Sequence, residues 1–107
     1  MTRGRVEAGV CGFKTEIEAT TGEDEQTVAL AINTDCDNMR RFAEKLDTVD
    51  AYAELGARFD GRVYQAARET HQGCCAGCAA LVGVLKTIQV AARLALPQTA
   101  TITVTNE

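Results

Sequence analysis

Five cysteines and one histidine are the residues of this 107-residue chain best suited to metal or redox chemistry. In chain order they are Cys11, Cys36, His71, Cys74, Cys75 and Cys78. Thiolate and imidazole groups are the usual ligands of zinc and of iron–sulfur clusters. A pair of cysteines separated by two residues can also cycle between dithiol and disulfide.

The last four of these residues form two short chelating pairs. His71-Gln-Gly-Cys74 spaces a histidine and a cysteine three positions apart, and Cys75-Ala-Gly-Cys78 does the same with two cysteines. Two donors at this spacing can bind one ion, and the intervening glycine lets the backbone turn without a steric penalty. Cys75 and Cys78 are therefore alternate ligands or a redox pair.

The predicted metal site consists of Cys11, Cys36, His71 and Cys74. Three thiolates and one imidazole suit zinc or an iron–sulfur cluster. Cys11 and Cys36 are remote in sequence from the other two residues, so only the fold can bring all four together. The prediction therefore requires that strands and helices end near these four residues.

The first third of the chain alternates between apolar and polar residues, which predicts β-strands. Residues 6–10 alternate first, residues 9–12 interrupt the pattern, and residues 13–19 then continue it. The acidic segment 20–24 supplies a turn, and residues 28–32 alternate on the return. This pattern predicts a β-hairpin with one solvent-exposed face.

Helical periodicity follows in the middle of the chain. Thr34 or Asp35 is predicted to cap a helix with an apolar stripe at i, i+3, i+4 and i+7. Asp50 is predicted to cap a short helical turn over residues 51–55, and Asp60 to cap a third helix. The longest helix is predicted over residues 76–96, ended by Pro97. Residues 99–105 alternate again and predict a third strand.

These elements predict one α+β domain over residues 1–107. Its sheet is a small three-stranded antiparallel sheet, formed by the N-terminal hairpin and the C-terminal strand and covered by three to four helices. In this arrangement the cysteines lie at junctions between elements. Structural cysteines more often lie on apolar stripes, so the placement favours a chemical role.

Composition excludes several function classes. The net charge of −4 and a pI near 5.0 leave no basic surface for nucleic acid. The longest apolar run, residues 79–85, is too short to span a bilayer. Residues 1–7 lack the apolar segment of a secretory signal, so no such signal is expected. We therefore expect a cytoplasmic protein without a membrane partner. Disulfides would not persist in the reducing environment of the cytoplasm.

Four short motifs resemble a small family of uncharacterised proteins of anaerobic prokaryotes, a domain of unknown function. The motifs are Cys11-Gly-Phe, Thr-Asp-Cys36, His71-Gln-Gly-Cys74 and Leu-Ala-Leu-Pro97. The resemblance covers nearly the whole chain and implies that Cys11, Cys36, His71 and Cys74 are family positions. It implies no activity.

The order of these residues is also similar to that of the IscU/NifU iron–sulfur scaffold proteins. Cys11-Gly opens the strand region, Cys36 begins a helix, and His71 with Cys74 precedes the long helix. This chain departs from the scaffold pattern at Phe13, where those proteins have aspartate, and it lacks their Leu-Pro-Pro-Val-Lys motif. The likeness implies a metal or cluster site.

Three functions follow as hypotheses. The first is a metal-binding protein that holds zinc or an iron–sulfur cluster, as a scaffold or carrier and not as an enzyme; no catalytic residue is assigned. The second is a thiol redox protein using Cys75 and Cys78. The third is an assembly protein with incidental cysteines, in which the hairpin edge and the threonine-rich terminal strand pair with another copy or another protein.

Overall fold

The computed structural model describes residues 1–73 and 77–106, apart from the side chain of Val10. Within these residues the chain forms four strands and four α-helices. The strands are β1 (Thr2–Glu7), β2 (Lys14–Thr21), β3 (Thr27–Thr34) and β4 (Thr48–Asp50). The helices are α1 (Asp37–Lys45), α2 (Ala51–Ala57), α3 (Arg62–Thr70) and α4 (Ala79–Ala91).

The strands form one antiparallel sheet in the order β1-β2-β3-β4. Its register pairs Val6 with Thr15 and Ile17 with Ile32. Along β2 the residues alternate between buried and exposed, so that Ile17 lies in the core and Glu16 faces solvent. One face therefore packs against the helices and the other is solvated, as expected for an antiparallel sheet in an α+β domain.

The α+β class agrees with the sequence prediction, but the predicted three-stranded sheet is wrong. The alternating residues before and after the glycine break form two strands and not one interrupted strand. A 3₁₀ turn, Gly9–Cys11, reverses the chain between them, and Gly9 and Gly12 adopt φ values of 80° and 71° that favour glycine. A further strand, β4, follows α1 where the sequence showed no separate strand.

The predicted C-terminal strand is also absent from the described residues, where residues 95–106 have no regular secondary structure. Helix α4 ends earlier than predicted. Arg93 adopts a left-handed conformation with φ 62°, and the N–H groups of Arg93 and Leu94 donate to the carbonyl oxygens of Val90 and Gln89. This Schellman-type cap ends the helix several residues before Pro97.

The helix starts are partly as predicted. The Asp50 side chain caps α2 by accepting hydrogen bonds from the N–H groups of Tyr52 and Ala53. The N-cap of α1 is Cys36, not Thr34 or Asp35, and the N-cap of α3 is Gly61, not Asp60. The core lies between the sheet and α1, α3 and α4. Its largest fully buried side chains are Phe42, Ile17, Met39, Leu46, Ile88, Val28, Val63 and Val84.

Helix α4 lies on β1 and β2 and runs in the direction opposite to β1. Two glycines permit the close approach: a Cβ atom on Gly4 would overlap Thr87, and one on Gly83 would overlap Val6. Because Thr87 lies beside Gly4 and Gly83 beside Val6, the N-terminus of α4 lies at the Glu7 end of β1. The C-terminus of α4 therefore lies at the Thr2 end.

Candidate metal site

The predicted donors that the structure describes lie in connections at one end of the sheet. Cys11 is in the β1–β2 connection, and Cys36 is where β3 passes into α1. The Asp35 N–H donates to the Lys14 carbonyl oxygen at 3.2 Å, which ties these two connections together. Cys78 begins α4 at the same end. We call this region the cysteine end.

His71 reaches the cysteine end through contacts between α3 and α1. The Asn38 side chain, in the first turn of α1, donates from Nδ2 to the Gln72 carbonyl oxygen at 3.2 Å. One turn later, the Phe42 ring meets the His71 ring edge-on, with centroids 6.0 Å apart. The residues after α3 therefore pack beside the helix that Cys36 begins.

Cys36 is the N-cap residue of α1. Its side chain is half-buried and packs against the core. Its N–H donates to the Thr34 hydroxyl at 3.2 Å, and that hydroxyl lies 2.8 Å from the hydroxyl of Thr15 in a buried pair. The backbone of Cys36 is thus held at the start of α1 by this hydrogen bond to Thr34.

The hydrogen bonds of Thr70 determine which nitrogen of His71 carries the proton. The Thr70 hydroxyl donates its single hydrogen to the Ala66 carbonyl oxygen at 2.8 Å. The same oxygen lies 3.2 Å from Nδ1 of His71. Because the hydroxyl hydrogen is already used, Nδ1 must be the donor in this contact. Nε2 of the neutral ring then carries the lone pair.

That Nε2 atom is buried and has no hydrogen-bond partner among the described residues. Burial lowers the pKa of His71, and the charge of Arg41 lowers it further. A hydrogen bond with the backbone of Ala67 raises this pKa but does not cancel the decrease. The neutral ring is the form that binds metals. His71 is thus a neutral, oriented ring near neutral pH, and its Nε2 has no partner in the described parts of the chain.

Of the other four cysteines, the structure describes Cys11 and Cys78, which differ in exposure. Cys11 is exposed in the 3₁₀ turn. Cys78 is the N-cap of α4 and is half-buried against the core. Cys74 and Cys75 lie outside the described residues. Within residues 1–73 and 77–106, no three histidine, cysteine or acidic side chains are grouped so that they could hold a metal ion.

Sequence reasoning missed Thr70 as a contributor to this site. A threonine in the last turn of a helix commonly donates its hydroxyl to the carbonyl four residues earlier, and this local rule was the available signal. It did not show that the same oxygen would accept from His71. That contact depends on the extended backbone of His71, with φ −80° and ψ 134°, directly after α3.

Comparison with protein families matches residues 2–104 to the family described as "Family of unknown function (DUF6951)". The chain belongs to this family. The match confirms that the chain falls in a family of unknown function, and it brings no activity. No curated protein and no solved structure matches the chain significantly. The likeness to the IscU/NifU scaffold proteins stays a prediction.

No helix within the described residues is both long enough and apolar enough to cross a bilayer.

Proposed function

We propose that this protein binds a thiophilic metal, either zinc or an iron–sulfur cluster, through Cys11, Cys36, His71 and Cys74. The observation that carries the proposal is the buried Nε2 of His71, which has no hydrogen-bond partner among the residues that the structure describes. An unsatisfied buried acceptor costs about 1–3 kcal/mol, and a metal ion would remove that cost. Cys75 and Cys78 are the alternate thiol ligands.

The surroundings of His71 support a ligand role. Metal-binding histidines commonly donate their second ring N–H to a neighbouring acceptor, which fixes the tautomer and the ring orientation. Thr70 supplies that acceptor for Nδ1. Phe42 packs against the ring and limits its rotation. The side chain would therefore bind through Nε2 with little further ordering.

The thiol ligands are supported by location. Cys36 lies at the N-terminus of α1, which packs beside the segment containing His71. Cys74 follows His71 by three positions, and Cys11 lies in the exposed connection that hydrogen bonds tie to the start of α1. Cys74 is included in the proposed ligand set for its spacing from His71 in the sequence.

Zinc held by such a ligand set would stabilise the cysteine end, whereas an iron–sulfur cluster would make the protein a scaffold or carrier. In either case the proposal places the protein in the cytoplasm, where thiols stay reduced. Both forms require the same ligands, so one set of variants tests them.

The experiment is anaerobic purification of the full chain followed by zinc, iron and sulfide analysis and an absorption spectrum on the same sample. About one equivalent of colourless zinc, or iron with sulfide and visible absorption bands, supports the proposal. H71A and C36S should each lower the metal content. Their melting temperatures in excess chelator, compared with that of the wild type, show whether each variant remains folded.

Two results would overturn the proposal. One is a metal-free wild type that shows five titratable thiols and takes up neither zinc nor a reconstituted cluster. The other is an H71A variant that is folded and retains the full metal content. A metal-free protein in which Cys75 and Cys78 form a reversible disulfide would instead identify a thiol redox protein.

A further inference from the structure

The C-terminal tail, defined as residues 99–105, has the sequence of a β-strand but forms none. Threonine alternates with Ala100, Ile102 and Val104 along it. Ile102 and Val104 are 78% and 88% exposed, and every residue from 93 to 106 is exposed. Alternating β-branched residues are typical of a strand with one buried face. The exposed tail therefore has the pattern of a strand without the sheet that would cover it.

The sheet offers an edge for such a strand at β1. Within the described residues, β1 pairs only with β2 and leaves its other side open. Thr2, Gly4 and Val6 face α4, and all three are only half-buried. Proline and charged residues, above all inward-facing ones, protect many exposed edges. The charges of β1 (Arg3, Arg5 and Glu7) all lie on the outer face, and its inner face carries neither charge nor proline, so this side of the edge can accept another strand.

We propose that the tail of a second copy of this chain adds to β1 as a fifth strand of the sheet. The seven residues of the tail match the six of β1 in length. With the apolar tail residues on the same face of the sheet as Gly4 and Val6, they would lie against α4 beside Gly83 and Val90. These two residues are half-buried and seven positions apart, which places them on the same side of the helix. The tail threonines would lie on the outer face with Arg3 and Arg5 of β1.

The direction of α4 favours a second copy over the molecule's own tail. Helix α4 ends at the Thr2 end of β1, and the Arg93–Glu25 ion pair, at 3.5 Å, places the end of the helix beside the β2–β3 turn, a few residues before the tail begins. From there the tail would run along its own β1 in the parallel direction. Every strand pair in this sheet is antiparallel. Two copies related by a two-fold axis can exchange tails in the antiparallel direction and form the interface twice.

The test compares the wild type with two variants of the full chain, I102D and T103D. Sedimentation equilibrium is measured in reducing buffer with chelator, so that neither disulfides nor metal ions link the copies. The wild type should be a dimer. I102D places a charge on the helix-facing side of the added strand and should raise the dimer dissociation constant at least about tenfold, whereas T103D places it on the solvated side and should leave the constant nearly unchanged.

Intermolecular nuclear Overhauser effects in a mixed sample of labelled and unlabelled chains locate the interface. Contacts between Ile102 of one copy and Val6 of the other support the proposal. It is overturned by a monomer at several hundred micromolar, by Ile102–Val6 contacts within one chain, or by a dimer that I102D and T103D affect equally. Because the metal is removed, these outcomes do not depend on the proposed metal site.

Discussion

The carboxyl group of Glu54 occupies the space where a side chain at residue 61 would begin. Glu54 is 4% exposed, and its carboxyl group accepts hydrogen bonds from the backbone N–H groups of Arg62 at 2.8 Å and Val63 at 3.3 Å. A Cβ atom on Gly61 would overlap Oε2 and lie 3.1 Å from Cδ of Glu54. Gly61 has φ −75°, so glycine is needed here for space and not for backbone conformation. Helix α3 is thus capped from α2.

Replacing Gly61 should therefore destabilise the protein. We expect G61A to lower the free energy of unfolding by about 1–3 kcal/mol, because the new methyl group displaces the carboxyl group from the part-buried N–H of Arg62 and the buried N–H of Val63. The matched control is G56A in α2, where a Cβ atom would meet nothing within 4 Å. It should raise stability by about 0.5–1 kcal/mol. Urea unfolding measures both, and equal effects would contradict the assigned role of Gly61.

The contact between α4 and β1 predicts a coupling between Gly83 and Val6. Alanine is a better helix former than glycine by about 1 kcal/mol, yet G83A should destabilise by about 1–3 kcal/mol because its methyl group overlaps Val6. V6A removes the overlapped methyl groups. The double variant should be more stable than the sum of the single effects, by about 0.5–3 kcal/mol. Additive effects in the double-mutant cycle would show that the helix can move away from the strand.

Thr70 should control metal binding through the tautomer of His71. T70V removes the oxygen that accepts from Nδ1, and we expect it to weaken metal affinity by about 10–100-fold. T70S keeps the hydroxyl and should remain close to the wild type. Competition with a chromophoric chelator measures affinity, and ¹⁵N spectra of the metal-free protein report the His71 tautomer. If T70V changes the tautomer without weakening metal binding, the assignment of the Thr70 hydrogen bond stands but its predicted role in metal binding is wrong.

The cap of α2 predicts a pH dependence. Hydrogen bonds from the Ala53 N–H and the Gln26 side chain hold the pKa of Asp50 below its ordinary value of 3.8. A lowered folded-state pKa contributes stability that is complete above the unfolded-state pKa and is lost as the pH falls through the folded-state pKa. The melting temperature of D50A should therefore lie below that of the wild type near neutral pH. The difference should begin to shrink as the pH falls below 3.8 and be lost only as the pH passes through the lower folded-state pKa.

The control for this prediction is D60N, which removes a charge from the neighbouring turn without touching the α2 cap. Melting temperatures are followed by circular dichroism as the pH is lowered. A difference between D50A and the wild type that persists unchanged in acid would show that the cap does not need the ionised carboxylate.

Local periodicity was enough to predict several elements. The buried Met39 and Phe42 mark one face of α1, and alternation around Ile17 marks β2, because both patterns depend on the repeat of a single element. The strand count was wrong where the outcome depends on pairing. Residues 99–105 have as strong an alternation as β2, but a strand forms only where another strand supplies hydrogen-bond partners.

Residue types and periodicity were sufficient to indicate the α+β class, the thiol and imidazole side chains, and the junction positions of Cys11, Cys36 and His71. Contacts between elements were needed to show that Gly4 and Gly83 let α4 lie on β1 with its N-terminus at the cysteine end. Such contacts also show that the Thr70 hydroxyl leaves Nε2 of His71 as the unprotonated nitrogen. Residue types and spacing limit which ligands are available, whereas helix direction and hydrogen-bond acceptors depend on contacts between segments remote in sequence.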